Sequence, residues 1–141
     1  MKKYAIDASL AVKWYSSLRE DDIIKADKLL QMYVDGACDL LAPALISYEL
    51  ANALRFNPNF DDKHVKRAMR DFFELQITLE ASSEYIDHAI ELAFGYSLTI
   101  YDAIYAALAQ LSSIPLITAD YTFCAKVKNL PFIIALRDLQ L

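Results

Sequence analysis

Four acidic residues stand where their carboxylates could act together on one ligand. Asp7 directly follows a short apolar run, and Asp120 comes shortly after another one. Glu49 and Asp102 lie near the starts of two stretches with helical spacing. Carboxylate oxygens are the hard ligands that Mg²⁺ and Mn²⁺ prefer, and the sequence lacks the His/Cys clusters typical of zinc sites. These residue types therefore favour a divalent-cation site.

Each of these residues also has a local alternative role. Asp7 and Asp120 could each N-cap the helix that follows them. Asp102 could close a capping box with Thr99, and Glu49 could be an ordinary solvated side chain. Ligands of open α/β sheets bind at the carboxyl ends of the strands. Because all four acidic residues lie near strand ends and helix starts, one carboxylate cluster is the better joint explanation.

Alternating strands and helices are needed to position these residues. Short apolar runs predict five buried strands, at residues 4–6, 38–42, 75–79, 114–118 and 132–134. Helical spacing predicts a helix from Ala8, one opening at Ser82 or Ser83, and others over residues 20–34, 44–56, 61–74, 99–110 and 121–128. Pro43 suits the opening of the helix over 44–56. The alternation predicts an α/β fold whose parallel sheet is covered on both faces.

Length and composition indicate one domain over residues 1–141, large enough for a substantial core. No apolar run approaches the roughly 18 residues of a transmembrane helix, and the first strand leaves no room for a signal peptide. Cys38 and Cys124 have no metal-type spacing and are expected to be free thiols in the core. We therefore expect a cytoplasmic protein.

The net charge of −5 argues against broad, non-specific binding of nucleic acid, although a local basic patch remains compatible with it. Basic side chains that either bind a polyanion or are simply solvated are Lys63, Lys66, Arg67 and Arg70 on one predicted helix, and Lys13, Arg55, Lys126 and Lys128 near the acidic residues. His64 and His88 lie in different predicted helices and are interpreted as surface residues. Some tyrosines could stack on unpaired bases.

Four motifs, taken in order, resemble those of PIN domains, and more closely those of the toxins of VapBC toxin–antitoxin pairs. The motifs are Ile6-Asp7-Ala8-Ser9, Tyr48-Glu49-Leu50-Ala51-Asn52, Tyr101-Asp102-Ala103 and Leu116-Ile117-Thr118-Ala119-Asp120. Val12-Lys13-Trp14, which often follows the first motif, is also present. The resemblance covers the whole chain.

This resemblance implies a three-layer α/β/α fold with a five-stranded parallel sheet of order 3-2-1-4-5. It implies a Mg²⁺- or Mn²⁺-dependent ribonuclease, a small VapB-like antitoxin as partner, and a homodimer. From the four acidic residues and the absence of soft ligands we expect cleavage of single-stranded RNA. The implied metal-binding and catalytic residues are Asp7, Glu49, Asp102 and Asp120, supported by Ser9 and Thr118. Some relatives carry a further acidic residue after the last motif, where this chain has Tyr121, Thr122 and Phe123.

Several alternatives are weighed against this interpretation. Glu49 or Asp120 could be the general base, whereas a nucleophilic Ser9 lacks an evident partnering base. A phosphatase with Asp-x-Asp after the first strand is excluded by Ser9. A receiver domain needs an Asp at the end of strand three and a Lys after strand five, but the chain has Thr78-Leu79-Glu80 and Ala135-Leu136-Arg137 there. A free-standing PIN nuclease of RNA processing and a catalytically inert PIN-fold interaction module remain open.

Overall fold

The computed structural model describes residues 1–17 and 21–141. Its centre is a five-stranded parallel sheet with the strand order β3-β2-β1-β4-β5. The strands are β1 (Lys2–Ile6), β2 (Cys38–Pro43), β3 (Thr78–Glu80), β4 (Leu116–Thr118) and β5 (Ile133–Ala135). The α/β fold and the order 3-2-1-4-5 are therefore confirmed. The order also differs from the 2-1-3-4-5 arrangement of receiver domains.

Within the described residues, seven helices connect and cover these strands: α1 (Ala8–Ala11), α2 (Ile23–Val34), α3 (Leu45–Arg55), α4 (Asp62–Glu74), α5 (Ile86–Tyr96), α6 (Ile100–Ser112) and α7 (Tyr121–Lys126). Short 3-10 turns occupy Val12–Trp14, Ser82–Glu84 and Leu136–Asp138. Helix α6 packs on the central strands β1, β2 and β4, and α5 packs on α6. Fully buried aliphatic side chains from the strands and helices, such as Ile6, Leu50 and Ile117, form the core between these elements.

The strand order reverses between β1 and β4. From β1 the chain builds one half of the sheet through β2 and β3, whereas β4 pairs with the other side of β1 and continues to β5. Such a reversal opens a crevice at the carboxyl edge of the sheet, where α/β proteins bind their ligands. The residues that follow β1 and β4 are therefore next to the ligand-binding edge.

Some predicted boundaries are wrong. Pro43 ends β2 instead of opening α3, because it pairs with Glu80 in β3 and Ala44 continues that hydrogen bonding through its N–H. The third strand begins at Thr78 and not at residue 75, since Leu75 caps α4 and Gln76 is left-handed with a φ of 55°. The strands at β4 and β5 and helix α7 are also shorter or shifted relative to the predicted ranges.

The predicted second helix begins later than expected. Its first predicted residue, Glu20, lies outside the described residues, and α2 starts at Ile23 after a left-handed Asp22 with a φ of 61°. The helix predicted from Ser82 or Ser83 starts at Ile86, after the 3-10 turn. These differences concern element ends and leave the topology unchanged.

Helix α6 is enclosed by apolar packing over most of its length. All residues from Ala103 to Ala109 are buried, as the sequence pattern predicts, but the first turn is open, with Ile100 37% and Tyr101 59% exposed. Asp102 lies at the boundary between these parts and is half-buried. Across the described ranges, no single helix has the length and apolarity to cross a membrane; α5 and α6 meet those criteria only as a pair, bent by 118°.

Candidate acidic site

The four predicted acidic residues each lie at or near the start of a helix. Asp7 connects β1 to α1, and Asp120 precedes α7 two residues after β4 ends. Glu49 lies on α3 after β2, and Asp102 is the third residue of α6. Because β1 and β4 are adjacent parallel strands, Asp7 and Asp120 share the carboxyl edge of the sheet.

A clamp of hydroxyl groups holds the Asp7 carboxylate. Ser9 Oγ donates to Asp7 Oδ1 at 2.6 Å, and Thr118 Oγ1 donates to Asp7 Oδ2 at 2.5 Å. The backbone N–H of Leu10 donates to Oδ1 at 3.2 Å, so Asp7 is also the N-cap of α1. Asp7 is only 8% exposed and Thr118 is fully buried. The two predicted supporting residues therefore contact Asp7 directly.

The Ser9 and Thr118 hydroxyls are the donors in their hydrogen bonds to the Asp7 carboxylate. Each hydroxyl has one proton, and both protons point at Asp7. The hydroxyl oxygens in turn accept backbone N–H groups, Ser9 from Ala119 at 2.9 Å and Thr118 from Asp120 at 3.0 Å. A carboxylate has about four lone-pair positions. After its three bonds from described residues, Asp7 keeps about one acceptor position, on Oδ2.

Electrostatic interactions connect all four carboxylates in pairs. Burial raises the pKa of Asp7 from 3.8 to about 6 against the lowering effect of its hydrogen bonds, and the charge of Asp120 adds to the rise. Burial and then the Asp120 charge raise the pKa of Asp102, while Lys126 and Thr99 lower it. Burial raises the pKa of Glu49, which Tyr105 lowers and the Asp102 charge raises further. The expected cluster is thus a series of like-charged, partly desolvated neighbours.

One or two of these carboxylates at a time could bind a hard cation. Among the described residues, no three Asp, Glu, His or Cys side chains stand close enough together to hold one ion. Mg²⁺, however, keeps several of its waters and is commonly held by one or two carboxylates together with substrate phosphates. The all-oxygen donor set and the mutual repulsion of the carboxylates fit a divalent cation on these grounds.

The local alternatives coexist with the cluster. Asp120 Oδ1 accepts the N–H of Phe123 at 3.0 Å and N-caps α7. Thr99 Oγ1 accepts the N–H of Asp102 at 3.1 Å, which forms the half of a capping box that does not need the Asp102 carboxylate. Glu49 is half-buried and is not an ordinary solvated side chain. Asp7 and Asp120 therefore both cap helices and also act on each other through their charges.

Basic residues differ in their relation to the site. Lys126 is exposed at the end of α7 and acts electrostatically on Asp102. Lys13 is 8% exposed and so is not a solvated charge. The predicted cluster Lys63, Lys66, Arg67 and Arg70 lies on α4 with all four side chains exposed, and Lys66 pairs with Asp62 at 3.8 Å.

Two exposed tyrosines flank the acidic residues. Tyr48 directly precedes Glu49 and is 75% exposed, and Tyr101 directly precedes Asp102 and is 59% exposed. Exposed aromatic faces of this kind can stack on unpaired bases.

The two cysteines and the two histidines have other surroundings. Cys38 and Cys124 are free thiols as predicted, but Cys124 is only half-buried, and after burial the charges of Asp7 and Asp120 raise its pKa. His64 completes the capping box of α4 with Asp61, and His88 contacts Gln110.

Sequence reasoning missed Tyr105. Its hydroxyl is buried without a hydrogen-bond partner among the described residues, and burial, followed by the neighbouring Glu49, raises its pKa. The signal in the sequence was the hydroxyl group of a tyrosine three residues after Asp102, in a stretch that is otherwise apolar from Ala103 to Ala109.

Comparison with solved structures gives the same fold. A toxin–antitoxin complex from Klebsiella pneumoniae contains a chain 19% identical, with a TM-score of 0.65 over 96% of this chain and 99% of that chain. A VapC toxin from Mycobacterium tuberculosis that cleaves the sarcin–ricin loop is 12% identical, with a TM-score of 0.67 over 88% of this chain and 95% of that chain. A chain of the Rickettsia felis VapBC complex, bound to a promoter DNA fragment, is 15% identical, with a TM-score of 0.61 over 94% of this chain and 96% of that chain.

At these identities the structural likeness concerns the fold alone. No curated protein matches the sequence significantly. The family model described as PIN domain matches residues 4–129, which includes all four acidic residues. Because this match spans most of the sequence, the chain belongs to the PIN domain family.

Proposed function

We propose that the protein is a metal-dependent endoribonuclease that cleaves single-stranded RNA and acts as the toxin of a type II toxin–antitoxin pair. The observation that carries the proposal is the pairwise electrostatic interaction of four carboxylates in a PIN fold, near the sheet edge where the strand order reverses. These carboxylates belong to Asp7, Glu49, Asp102 and Asp120. Like charges held together in a partly desolvated place are unfavourable unless a cation neutralises them.

These four carboxylates would hold Mg²⁺ or Mn²⁺. When bound, such an ion lowers the pKa of a water and stabilises the charge that develops on a phosphate. Asp7 supplies an oriented ligand, since Ser9 and Thr118 fix its carboxylate and leave one acceptor position open. Either Glu49 or Asp120 accepts the proton of the attacking water, and a base whose pKa is raised towards neutrality does so more effectively. Burial moves the pKa of Glu49 in that direction.

The surface beside the acidic residues suits a single strand of RNA. Lys126 places a positive charge next to Asp102, where it would attract a phosphate. Tyr48 and Tyr101 present aromatic surface on which unpaired bases would stack. Local charge of this kind is compatible with the overall charge of −5, because a single basic side chain near the site needs no basic surface elsewhere.

The proposed partners are a small VapB-like antitoxin and a second copy of the chain. Support comes from the fold's likeness to the toxin–antitoxin structures and from exposed apolar side chains. Phe56 is 72% exposed at the end of α3, and Ile90 and Phe94, one turn apart on α5, are 41% and 85% exposed. Apolar surface of this kind is typical of protein interfaces. With its RNA and antitoxin, the protein would act in the cytoplasm.

A cleavage assay tests the enzymatic proposal. The purified, antitoxin-free protein should cut unstructured RNA with Mg²⁺ or Mn²⁺ and stop in EDTA. Asp7→Asn and Asp102→Asn should each lose cleavage while keeping a native circular dichroism spectrum. Asp62→Asn, an exposed change on α4, is the matched control and should retain full activity. Cleavage that persists in both site variants would contradict the proposal.

Expression in cells separates the toxin role from its alternatives. The protein alone should arrest growth, and the product of the adjacent gene should relieve the arrest and bind the protein. Metal-dependent cleavage without toxicity or a neighbouring partner would favour a free-standing PIN nuclease of RNA processing. Absence of cleavage together with partner binding would favour an inert interaction module.

A further inference from the structure

The Tyr105 hydroxyl is a buried polar group that the proposed chemistry leaves without a role. Tyr105 is 3% exposed, and its hydroxyl oxygen is buried and has no hydrogen-bond partner among the described residues. Folded proteins pair nearly all such groups, because an unpaired buried hydroxyl costs stability. A phenylalanine would fill the same apolar position without that cost. The hydroxyl therefore requires an explanation.

The hydroxyl is aimed at the acidic site. Tyr105 follows Asp102 by three residues on α6, so both side chains lie on one side of the helix. Glu49 on α3 interacts with the phenol most directly, and Asp7 and Asp102 act on it through their charges. Three carboxylates from three helices or helix starts thus act on one donor that has no hydrogen-bond partner in the described part of the chain. Burial, followed by these neighbours, raises the pKa of Tyr105, which keeps the phenol protonated and able to donate.

We propose that Tyr105 is a positioning residue that donates its O–H to the Glu49 carboxylate when Glu49 turns inward to hold a divalent cation. This inference rests on the proposed metal-dependent function. Glu49 is half-buried and is the nearest acidic neighbour to act on the phenol, but among the described residues the Tyr105 hydroxyl meets hydrogen-bond geometry with no partner. Glu49 has two carboxylate oxygens, so one can accept the phenol O–H while the other remains available to a cation.

The expected effect follows from how such donors work in metal sites. Groups behind a ligand fix its orientation, and their removal typically lowers metal affinity or activity about 10- to 100-fold. Tyr105→Phe removes only the hydroxyl and keeps the ring that packs in the core. The variant therefore separates the donor from the packing.

Tyr85 is a matched control for this change. It is 5% exposed, close to the 3% of Tyr105, but its hydroxyl already donates to the Glu80 carbonyl at 3.0 Å. Tyr85→Phe should therefore lower the melting temperature and leave Mn²⁺ binding unchanged. Tyr105→Phe should instead preserve or raise the melting temperature in EDTA, because it removes an unpaired buried hydroxyl. It should weaken Mn²⁺ binding, because it removes the donor to Glu49.

The experiment combines melting in EDTA, calorimetric titration with Mn²⁺, and RNA cleavage for wild type, Tyr105→Phe and Tyr85→Phe. For Tyr105→Phe we expect a melting temperature at or above that of wild type, Mn²⁺ affinity lowered about tenfold or more, and a reduced kcat with little change in the KM for RNA. The melting and titration measurements do not depend on activity.

Three outcomes would overturn the inference. If Tyr105→Phe binds Mn²⁺ and cleaves as wild type does, Tyr105 has no positioning role, while the proposed function stands. If Tyr105→Phe melts well below wild type or does not fold, the hydroxyl already has a structural partner and the inference is wrong. If wild type itself binds no Mn²⁺ and cleaves no RNA, the proposed function fails and this inference fails with it.

Discussion

Thr118 reaches across 111 positions of sequence to donate its hydroxyl to Asp7, joining the ends of the adjacent strands β4 and β1. The same hydroxyl oxygen accepts the N–H of Asp120, so one fully buried side chain orients two of the four acidic residues. The position of the Asp7 carboxylate is therefore set by the sheet and not by its own helix alone.

Thr118→Val should destabilise the protein even without metal. The change keeps the side-chain shape but removes a donor to a buried carboxylate and the acceptor of the Asp120 N–H. Hydrogen bonds to charged groups contribute about 1.5–3 kcal/mol, so we expect the free energy of unfolding to fall by about 2 kcal/mol in urea with EDTA. Thr122→Val, an exposed change on α7, should stay within about 0.5 kcal/mol. Equal effects of the two variants would contradict the clamp.

The pH dependence of stability should report on Asp7. Its folded pKa, about 6, lies above its usual 3.8, so the folded protein binds this proton more tightly than the unfolded chain does. The stabilisation is fully present below about pH 4 and is lost as the pH rises through about 6; the difference corresponds to about 3 kcal/mol. Between these limits, wild type in EDTA should lose more stability than Asp7→Asn. Parallel urea-denaturation profiles of the two proteins would show that Asp7 titrates normally.

Asp102→Asn should raise or preserve the melting temperature in EDTA although it abolishes cleavage. The substitution relieves the desolvation of the carboxylate and its repulsion by Asp120, and it keeps the backbone N–H of residue 102 that the Thr99 cap accepts. Excess Mn²⁺ should reverse the order. A ligand at about ten times its Kd adds about 1.4 kcal/mol to wild type, or about 3–6 °C for a domain of this size. A variant less stable in EDTA, with no Mn²⁺ effect on wild type, would refute a shared metal site.

Lys126→Gln should weaken RNA binding more than catalysis. Lys126 is exposed and acts on Asp102, so its loss should raise the KM several-fold and reduce the slope of log KM against log salt by about 0.7. Lys2→Gln changes an exposed lysine at the amino end of β1, on the opposite edge of the sheet, and should leave both quantities unchanged. Cleavage rates measured across a series of KCl concentrations give this comparison. An unchanged salt dependence of KM in Lys126→Gln would show that Lys126 does not contact the RNA.

The placement of Asp7 and Asp120 could be predicted because it depends on topology. A residue that follows a buried parallel strand must lie at the carboxyl edge of the sheet, whatever its neighbours. The strand at residue 75 could not be placed correctly, because the left-handed conformation of Gln76 that ends α4 has no clear sequence signal. The predicted strand therefore began too early, because Leu75 and Ile77 are apolar and were assigned to it.

The unpaired hydroxyl of Tyr105 was beyond sequence reasoning for another reason. A tyrosine within an apolar helix is ordinarily a core residue whose hydroxyl finds a partner. That no described residue pairs with it depends on how the side chains around Tyr105 are arranged in space, which no spacing along the chain reveals. The burial of Lys13 was similarly unpredictable, since a lysine on a short helical segment is usually solvated.

Calorimetric titration of Mn²⁺ measures whether the carboxylates of Asp7, Glu49, Asp102 and Asp120 bind a divalent cation. Wild type should show a binding event that weakens about tenfold or more in each of Asp7→Asn, Glu49→Gln, Asp102→Asn and Asp120→Asn. The exposed control Asp62→Asn should bind as wild type does. Undiminished binding in any of the four site variants would exclude that residue from the site, and undiminished binding in all four would show that these carboxylates bind no cation.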